Sequence, residues 1–282
     1  MRNAVFLLLA SAILWSAGGI LIKLVNLNPM AIAGMRSLFA LPLLIFLLRK
    51  QISFKFNILY LYAGICYAFT VILFVASTKT TTAANAIVLQ YTAPIYVIIF
   101  SGIILKEKVR FIDVISIIIA FLGIILFFFD ELTTGGLFGN ILALMSGVTF
   151  AFLVIFLRMQ KNANPLISIV IGNIITVIIC SFFMFTAMPS SISWVYLIIL
   201  GVFQIGLSYV LFVIAIKKVT ALQGIMIPLI EPVLNPIWVF LFYGEVPGMW
   251  SIIGCIIVFV AVVIRSLSII KNSYKINLTS LN

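Results

Sequence analysis

One stretch of this sequence occurs twice, and the duplication decides the fold. Residues 73–107 read LFVASTKTTTAANAIVLQYTAPIYVIIFSGIILKE, and residues 211–245 read LFVIAIKKVTALQGIMIPLIEPVLNPIWVFLFYGE. A shift of about 138 residues superimposes a lysine, a proline and a glutamate of the two copies, namely Lys79 on Lys217, Pro94 on Pro232 and Glu107 on Glu245. Apolar matches are common in a chain rich in apolar residues, so these polar and proline matches are the main evidence for the alignment. The sequence therefore predicts an internal repeat.

The repeat lies in a chain that consists almost wholly of apolar segments. Hydrophobic residues make up 65% of the 282 residues and charged residues only 8%, far from the composition of a soluble globular protein. A helix needs about 20 apolar residues to cross a bilayer core, and such stretches follow one another with short polar joints between them. Ten transmembrane helices are predicted, near residues 4–25, 29–49, 57–78, 83–105, 111–129, 137–158, 164–187, 192–216, 220–242 and 248–270.

The net charge of +11 is explained by where the basic residues lie. Fourteen of the 17 Lys and Arg residues fall on the side of the membrane that carries the N-terminus, whereas Lys23 and Lys79 fall on the other side and Arg36 within the second span. Basic residues favour cytoplasmic loops, so both termini are predicted to be cytoplasmic. These residues lie at loop ends and form no patch, so a nucleic-acid partner is not expected.

Each copy of the repeat holds five helices, and this odd number inverts the second copy in the membrane. The charge distribution agrees, because the loop at Lys79 falls outside and the matching loop at Lys217 falls inside. The predicted fold class is all-α integral membrane, with ten transmembrane helices as two inverted five-helix repeats around a central cavity. The first repeat covers 1–135, the second covers 136–271, and 272–282 form a cytoplasmic tail. Such repeats place a substrate site where the halves meet, near the bilayer midplane.

The ninth span contains the most informative polar residues. Glu231, Asn235 and Trp238 share one helical face. Three prolines recur every four residues on an adjoining face, and each frees a backbone carbonyl one turn back: Pro228, Pro232 and Pro236. Irregular backbone is tolerated at membrane depth only against protein or a water-filled cavity. This face of the ninth span is therefore expected to line the cavity.

Two ionisable residues, Glu231 and Arg36, are predicted to lie within the membrane, where such groups are functional hypotheses by default. Glu231 could bind a substrate amine or take up a proton, or it could be a structural glutamate, neutral or paired with Arg36. Arg36 could extend its side chain to the outer surface, pair with a carboxylate, or hold a substrate carboxylate. Both residues are candidates for a coupling or structural charge, and the sequence leaves these alternatives open.

Aromatic and polar residues in other spans complete the predicted site. Aromatic walls with a few polar groups suit a small amphipathic ligand, although helix packing would use the same residue types. The further candidates for substrate binding are Trp15, Tyr67, Asn85, Gln90, Tyr91, Tyr96, Gln204 and Tyr209.

Four segments resemble the EamA-type ten-helix permeases of the drug/metabolite transporter superfamily. They are LWSAGGILIK at 14–23, AGMRSLFALPLL at 33–44, TAPIYVIIFSGIILKEKV at 92–109, and the stretch at 209–247 that contains Glu-Pro-Val and Gly-Glu. The first half has Lys106-Glu107 where the permeases have Gly-Glu, a departure expected to alter only a turn. Members of the superfamily move amino acids, sugars, nucleosides, vitamins and drugs. The resemblance therefore implies transport but does not identify the solute.

The expected function is secondary transport of a small organic metabolite, such as an amino acid or a drug-like amphipathic compound, by alternating access and in the direction of export. The expected location is the plasma membrane, as for a bacterial inner-membrane protein. The expected partners are a small-molecule substrate, the lipid bilayer and, as a further candidate, protons, and the chain is expected to be a monomer or a weak homodimer. No cofactor or metal is expected, because histidine is absent and the three cysteines lie in apolar runs.

Three other functions compete with transport. An integral-membrane enzyme acting on a lipid or prenyl phosphate would need clustered carboxylates or histidines at the membrane surface, whereas the six acidic residues here are scattered. An ion channel would present rings of carbonyls or charges from several subunits, which a two-fold inverted repeat does not favour. A membrane assembly protein that transports nothing stays open as an alternative.

Overall fold

The computed structural model describes residues 2–49, 57–127, 129, 136–234 and 248–279, with side chains after residue 248 described as far as Arg265. Regular secondary structure in these ranges is helical. The α-helices are α1 Arg2–Ser16, α2 Gly18–Leu24, α3 Pro29–Leu48, α4 Ile58–Thr80, α5 Ala83–Gln90, α6 Ala93–Ile104, α7 Phe111–Phe127, α8 Leu137–Met159, α9 Leu166–Met184, α10 Ser191–Ile199, α11 Ser208–Ile216, α12 Ala221–Met226 and α13 Met249–Thr279. A π-helical segment, Leu200–Leu207, joins α10 to α11, and a 3-10 helix, Ile227–Ile230, follows α12.

Every predicted span coincides with an apolar helix. Within the described ranges, seven helical stretches are long and apolar enough to cross a membrane: Arg2–Leu24, Pro29–Leu48, Ile58–Thr80, Ala84–Ile104, Leu137–Met159, Leu166–Met184 and Ser191–Ile216. Shorter apolar helices stand at the predicted fifth, ninth and tenth spans, at Phe111–Phe127, Ala221–Leu234 and Met249–Arg265. The chain is therefore a multi-pass, all-helical membrane protein, and its helices are compatible with the predicted ten spans.

Matching threonines begin the fourth and ninth spans. The Thr82 hydroxyl accepts a hydrogen bond from the Asn85 amide at 3.0 Å, and the Thr220 hydroxyl accepts one from the Gln223 amide at 3.2 Å. The Gln223 side chain accepts a bond in return from the Thr220 amide at 3.1 Å and completes a capping box. The first amides of a helix have no intrahelical acceptor, so these caps fix the residue at which each of the two helices begins.

Interruptions occur in four of the predicted spans. The first span breaks at Ala17, the eighth contains the π-helical segment, the fourth breaks at 91–92 between α5 and α6, and the ninth contains the 3-10 helix. In the repeat alignment, 91–92 corresponds to 229–230, so the fourth and ninth spans break at equivalent positions. Pro94 and Pro232 follow these breaks and cannot donate a backbone hydrogen bond. The local sequence therefore explains both interruptions.

Helix pairs recur between the two halves of the sequence. The third span packs on the sixth through α4 and α8, and the first packs on the eighth through α1 and α11. The helix α4 also contacts α9, and α3 correspondingly contacts the π-helical segment. Equivalent helices of the two halves pair with each other, α3 with α9 and α7 with α13. This reciprocal pattern is compatible with two inverted repeats.

A buried ion pair joins α7 to α13. Asp113 and Arg265 form it with side chains that are each 4% exposed. The second carboxylate oxygen of Asp113 accepts a hydrogen bond from the Arg110 amide at 2.9 Å and so caps α7. An ion pair this well buried costs stability when one partner is removed, so it ties the fifth span to the tenth.

Candidate functional site

A cavity lies where spans from both halves of the sequence meet. Its residues come from the first, second, third, fourth, sixth, eighth and ninth spans: Trp15, Arg36, Thr70, Val71, Phe74, Gln90, Tyr91, Phe150, Gln204, Ile205, Tyr209, Pro228 and Glu231. The cavity volume is about 50 Å³, which accommodates on the order of four water molecules. An organic solute would therefore fit only after the surrounding helices separate.

The two broken spans contact each other at this cavity. The Tyr91 hydroxyl, at the break in the fourth span, lies 2.6 Å from Oε2 of Glu231, just after the 3-10 helix in the ninth. The same hydroxyl is 3.4 Å from the carbonyl oxygen of Pro228. A phenol has a single proton to donate, so the shorter contact with the carboxylate dominates. This hydrogen bond links the irregular backbone of one half to that of the other.

Arg36 lies at another part of the cavity wall and is 3% exposed. Among the described residues, its Nε and Nη1 have no hydrogen-bond partner. The ion pairs among the described residues are Glu107 with Arg158 and Asp113 with Arg265. Arg36 and Glu231 are therefore not paired with each other. Of the alternatives that the sequence left open for Arg36, this conformation does not display pairing with a carboxylate.

Close backbone packing holds the second span at this position. A Cβ on Gly201, in the π-helical segment, would lie 2.6 Å from the carbonyl oxygen of Arg36. A Cβ on Gly172 of α9 would lie 2.5 Å from Cδ1 of Tyr67. Both approaches require glycine, and they bring the second span and the third against their neighbours around the cavity.

An aromatic cluster forms the wall near Arg36. The Trp15 ring lies 5.1 Å from Tyr209, 5.3 Å from Phe212 and 6.1 Å from Phe150, measured between centroids. Tyr67 stacks edge-on against Tyr209 at 4.8 Å. Rings at these separations stabilise one another, so the wall is a packed surface on which an apolar group can rest.

Another part of the wall carries a chain of polar contacts. Gln90 donates to the Ser146 hydroxyl at 2.7 Å, and Ser146 donates to the Thr70 carbonyl at 3.1 Å. The Thr70 hydroxyl lies 3.0 Å from that of Thr149. These bonds connect the third, fourth and sixth spans. In the described ranges, no three His, Cys, Asp or Glu side chains come together as metal ligands would.

Six of the residues predicted for substrate binding line the cavity: Trp15, Gln90, Tyr91, Gln204, Tyr209 and Glu231. Arg36 lines it too. Asn235 and Trp238 lie outside the described residues.

Three predicted residues do not line the cavity. Tyr67 is fully buried behind it and donates to Asn173 at 3.2 Å. Asn85 lies near the start of α5 and donates to Asn140 at 3.1 Å, and Tyr96 follows the break in the fourth span. In an unbroken helix Asn85 and Tyr96 would lie on one face, and the break at 91–92 ends that register.

Apolar members of the wall had no signal in the sequence. Val71, Phe74, Phe150 and Ile205 face the cavity, yet they are the same residue types that elsewhere face lipid. Only their position relative to the breaks distinguishes them, and that position follows from the packing of the helices.

A polar cluster, which we call the Glu107 cluster, closes one end of the helix bundle. The Glu107 carboxylate contacts Nε of Arg158 at 2.9 Å and accepts from the Ala221 amide, the first of α12, at 2.8 Å. Nη1 of Arg158 donates to the carbonyls of Ile216 and Lys217 at 3.1 and 2.9 Å. The cluster thus joins the ends of the fourth, sixth and eighth spans to the start of the ninth.

Two lysines make the matching contacts at the other end of the bundle. Nζ of Lys79, which aligns with Lys217, donates to the Val25 carbonyl at 2.6 Å. Nζ of Lys23, which aligns with Arg158 at a slightly different shift of about 135 residues, donates to the Thr81 carbonyl at 3.1 Å. Both ends of the bundle are therefore held by basic side chains on helix-terminal carbonyls.

Known proteins share both the sequence pattern and the fold. The profile of the EamA-like transporter family matches residues 2–129 and 137–267. An uncharacterized transporter of Archaeoglobus fulgidus is 26% identical over 200 residues, which cover 69% of this chain and 71% of that protein. Solute carrier family 35 member G1 of Homo sapiens is 27% identical over 277 residues, covering 90% of this chain and 76% of that protein.

A crystal structure with 15% sequence identity superimposes with a TM-score of 0.78 and covers 92% of this chain and 96% of that one. The similarity of that structure concerns the fold alone. The family profile, in contrast, covers both halves of the sequence and most of the residues that build the cavity. On this basis, the chain belongs to the EamA-like transporter family.

Proposed function

We propose that the protein is a secondary transporter that exports a small organic metabolite, such as an amino acid or a drug-like amphipathic compound, across the plasma membrane. Two inverted repeats, 1–135 and 136–271, move against each other and open the cavity to each side in turn. Both termini lie in the cytoplasm. The observation that carries this proposal is the meeting of the two broken spans at the cavity, through the Tyr91–Glu231 hydrogen bond.

Alternating access accounts for features that a static helical bundle would not need. Breaks in the fourth and ninth spans free backbone carbonyls at membrane depth, where only a cavity or protein contact makes them tolerable. The cavity in this conformation is too small for an organic solute. The contacts at the two ends of the helix bundle are the Glu107 cluster, with its partly exposed ion pair, and the hydrogen bonds of Lys23 and Lys79. Such contacts rearrange at a modest cost in free energy compared with a packed apolar interface.

Different residues of the cavity bind different parts of the solute. Trp15 and Tyr209 offer aromatic surface to the apolar part of the solute, and Gln90 offers an amide. Glu231 binds a cationic group of the solute or a proton during the cycle, and Tyr91 holds its carboxylate until then. Asn235 and Trp238, which lie outside the described residues, are assigned to this part of the site from their sequence spacing to Glu231.

Efflux from proteoliposomes tests the proposal and does not require that the solute be identified first. Vesicles are loaded with a mixture of small metabolites, and mass spectrometry measures which solutes leave faster than from protein-free vesicles, with and without a proton gradient. We expect a small set of solutes to leave faster. A folded, reconstituted protein that accelerates no solute under either condition would remove the support for transport and favour an assembly role.

A further inference from the structure

We propose that Arg36 is an anion-binding subsite of the cavity and that the transported solute carries a carboxylate that Arg36 binds. This inference rests on the proposed function, and it specifies one chemical group of the substrate.

The first argument is that the Arg36 guanidinium is buried and has no partner among the described residues. The residue is 3% exposed, it lines the cavity, and its Nε and Nη1 make no hydrogen bond to any described residue. Buried polar groups in folded proteins are nearly always hydrogen-bonded, and arginine stays charged in proteins. A buried guanidinium with unsatisfied donors offers charge-assisted hydrogen bonds, and a carboxylate is an anion whose geometry matches it.

The second argument is that no described carboxylate is available to Arg36. Glu107 pairs with Arg158, Asp113 pairs with Arg265, and Glu231 accepts from Tyr91. These are all of the acidic residues in the described ranges. A buried charge without its counterion destabilises a fold, so a subsite in this state gains stability when an anion enters.

The third argument concerns the wall beside Arg36. Gln204 also lines the cavity, is 7% exposed, and its Oε1 has no partner among the described residues. It lies on the π-helical segment, and such segments occur frequently at functional sites. Gly201, on the same segment, packs on the Arg36 carbonyl. Tyr209 continues this wall toward Trp15, so an apolar group attached to the carboxylate would rest on aromatic rings.

The test compares three probes of one shape in the purified full-length protein. They are 3-phenylpropionate, 3-phenylpropionamide and 3-phenylpropylamine, with chloride and inorganic phosphate as simple anions at matched ionic strength. A ligand that binds only the folded state raises the melting temperature by mass action. We expect the carboxylate to raise it, the amide to leave it unchanged, and any effect of the amine, which would meet Glu231, to persist in Arg36→Gln. Arg36→Gln should weaken carboxylate binding at least tenfold.

A second variant supplies the anion from the protein itself. Gln204→Glu places a carboxylate in the wall of the cavity that Arg36 also lines, so it should raise the melting temperature of the ligand-free protein and abolish the response to 3-phenylpropionate. Gln90→Glu is the matched control, because it adds the same group at the Ser146 side of the cavity, where no charge requires it. This control should not raise the melting temperature. The Gln204→Glu comparison holds even if Arg36→Gln fails to fold.

Four outcomes would contradict the inference, and a fifth would contradict the proposed function alone. Equal stabilisation by the amide would show that binding does not depend on the charge of the carboxylate, and stabilisation by phosphate or chloride alone would indicate a site for inorganic ions. Carboxylate binding that survives Arg36→Gln would place the anion elsewhere. If proteoliposomes export only neutral or cationic solutes, the subsite fails and the transporter stands. If carboxylates bind through Arg36 but no solute is exported, the subsite stands and the proposed function fails.

Discussion

The hydrogen bond between Tyr91 and Glu231 gives the most quantitative prediction for the cavity. Tyr91→Phe removes only the hydroxyl that lies 2.6 Å from the Glu231 carboxylate. A hydrogen bond to a charged group contributes about 1.5–3 kcal/mol net, and an acceptor left buried without its donor adds to the loss. The Tyr91 side chain is 7% exposed, so water replaces the lost donor poorly. We therefore expect Tyr91→Phe to lower the free energy of unfolding by about 2 kcal/mol.

Glu231→Gln separates the hydrogen bond from the charge. The amide oxygen can still accept from Tyr91, but a bond between neutral groups contributes only about 0.5–1.5 kcal/mol. The effects of Tyr91→Phe and Glu231→Gln should therefore not add in the double variant, and the coupling should be about 1 kcal/mol. Denaturation by sodium dodecyl sulfate in mixed micelles measures all four proteins of this cycle.

Tyr96→Phe is the matched control, since the Tyr96 hydroxyl makes no hydrogen bond to the described residues. It should change stability by less than about 0.5 kcal/mol. A Tyr91→Phe variant no less stable than Tyr96→Phe, or a double variant whose effects simply add, would refute the link between the broken spans.

Transport by the Glu231→Gln variant gives a second measurement. Folded Glu231→Gln protein should lose export or its dependence on pH, and normal flux from about pH 5 to 8, a range that brackets shifted carboxylates, would leave Glu231 without a functional role.

Four further predictions concern other parts of the fold. Glu107→Gln should lower the free energy of unfolding by about 1–2 kcal/mol, a moderate loss because the carboxylate is partly solvated. If the Glu107 cluster closes that end of the bundle, the same variant should increase the labelling of nearby engineered cysteines. Lys106→Gly should stabilise by about 0.5–1 kcal/mol in the same denaturation assay, since Lys106 has φ of 54° and glycine adopts that conformation without strain. Asp113→Ala should cost about 3–5 kcal/mol, and Asp113→Leu with Arg265→Met should recover most of the loss; a loss under about 1 kcal/mol would contradict the buried pair. Reporter fusions at Asn282 should be cytoplasmic, and a periplasmic or extracellular signal would overturn the predicted topology.

Much of the fold could be predicted because a membrane-spanning helix requires a long apolar run, which is visible in the sequence. The apolar runs located the seven helical stretches that are long enough to cross a membrane and the three shorter apolar helices, and Pro228, Pro232 and Pro236 indicated that the ninth span would be irregular. The aligned lysines also proved informative, because Lys79 and Lys217 both contact the carbonyls at the end of a neighbouring span. The replacement of glycine by Lys106 was expected to alter a turn, and the structure places that residue at positive φ.

The candidate site could be predicted only in part, because helical spacing assumes an unbroken helix. The π-helical segment that carries Gln204 reads as an ordinary apolar run, LGVFQIGL, and nothing in it predicts the change of hydrogen-bonding pattern. The state of Arg36 depends on which side chains reach it in space. Among the described residues Arg36 has no partner, because the three described carboxylates, all far away in sequence, bind other groups.

Access to the cavity from both sides of the membrane is the central claim, and cysteine labelling measures it without a known substrate. In a variant lacking Cys66, Cys180 and Cys255, Val71→Cys places one thiol in the cavity wall, and Val75→Cys, buried one turn along α4 outside it, is the control. A membrane-impermeant maleimide is applied to vesicles of each orientation. Alternating access predicts that Val71→Cys is labelled from both sides while Val75→Cys is labelled from neither. Labelling of Val71→Cys from one side only, or from neither, would contradict it.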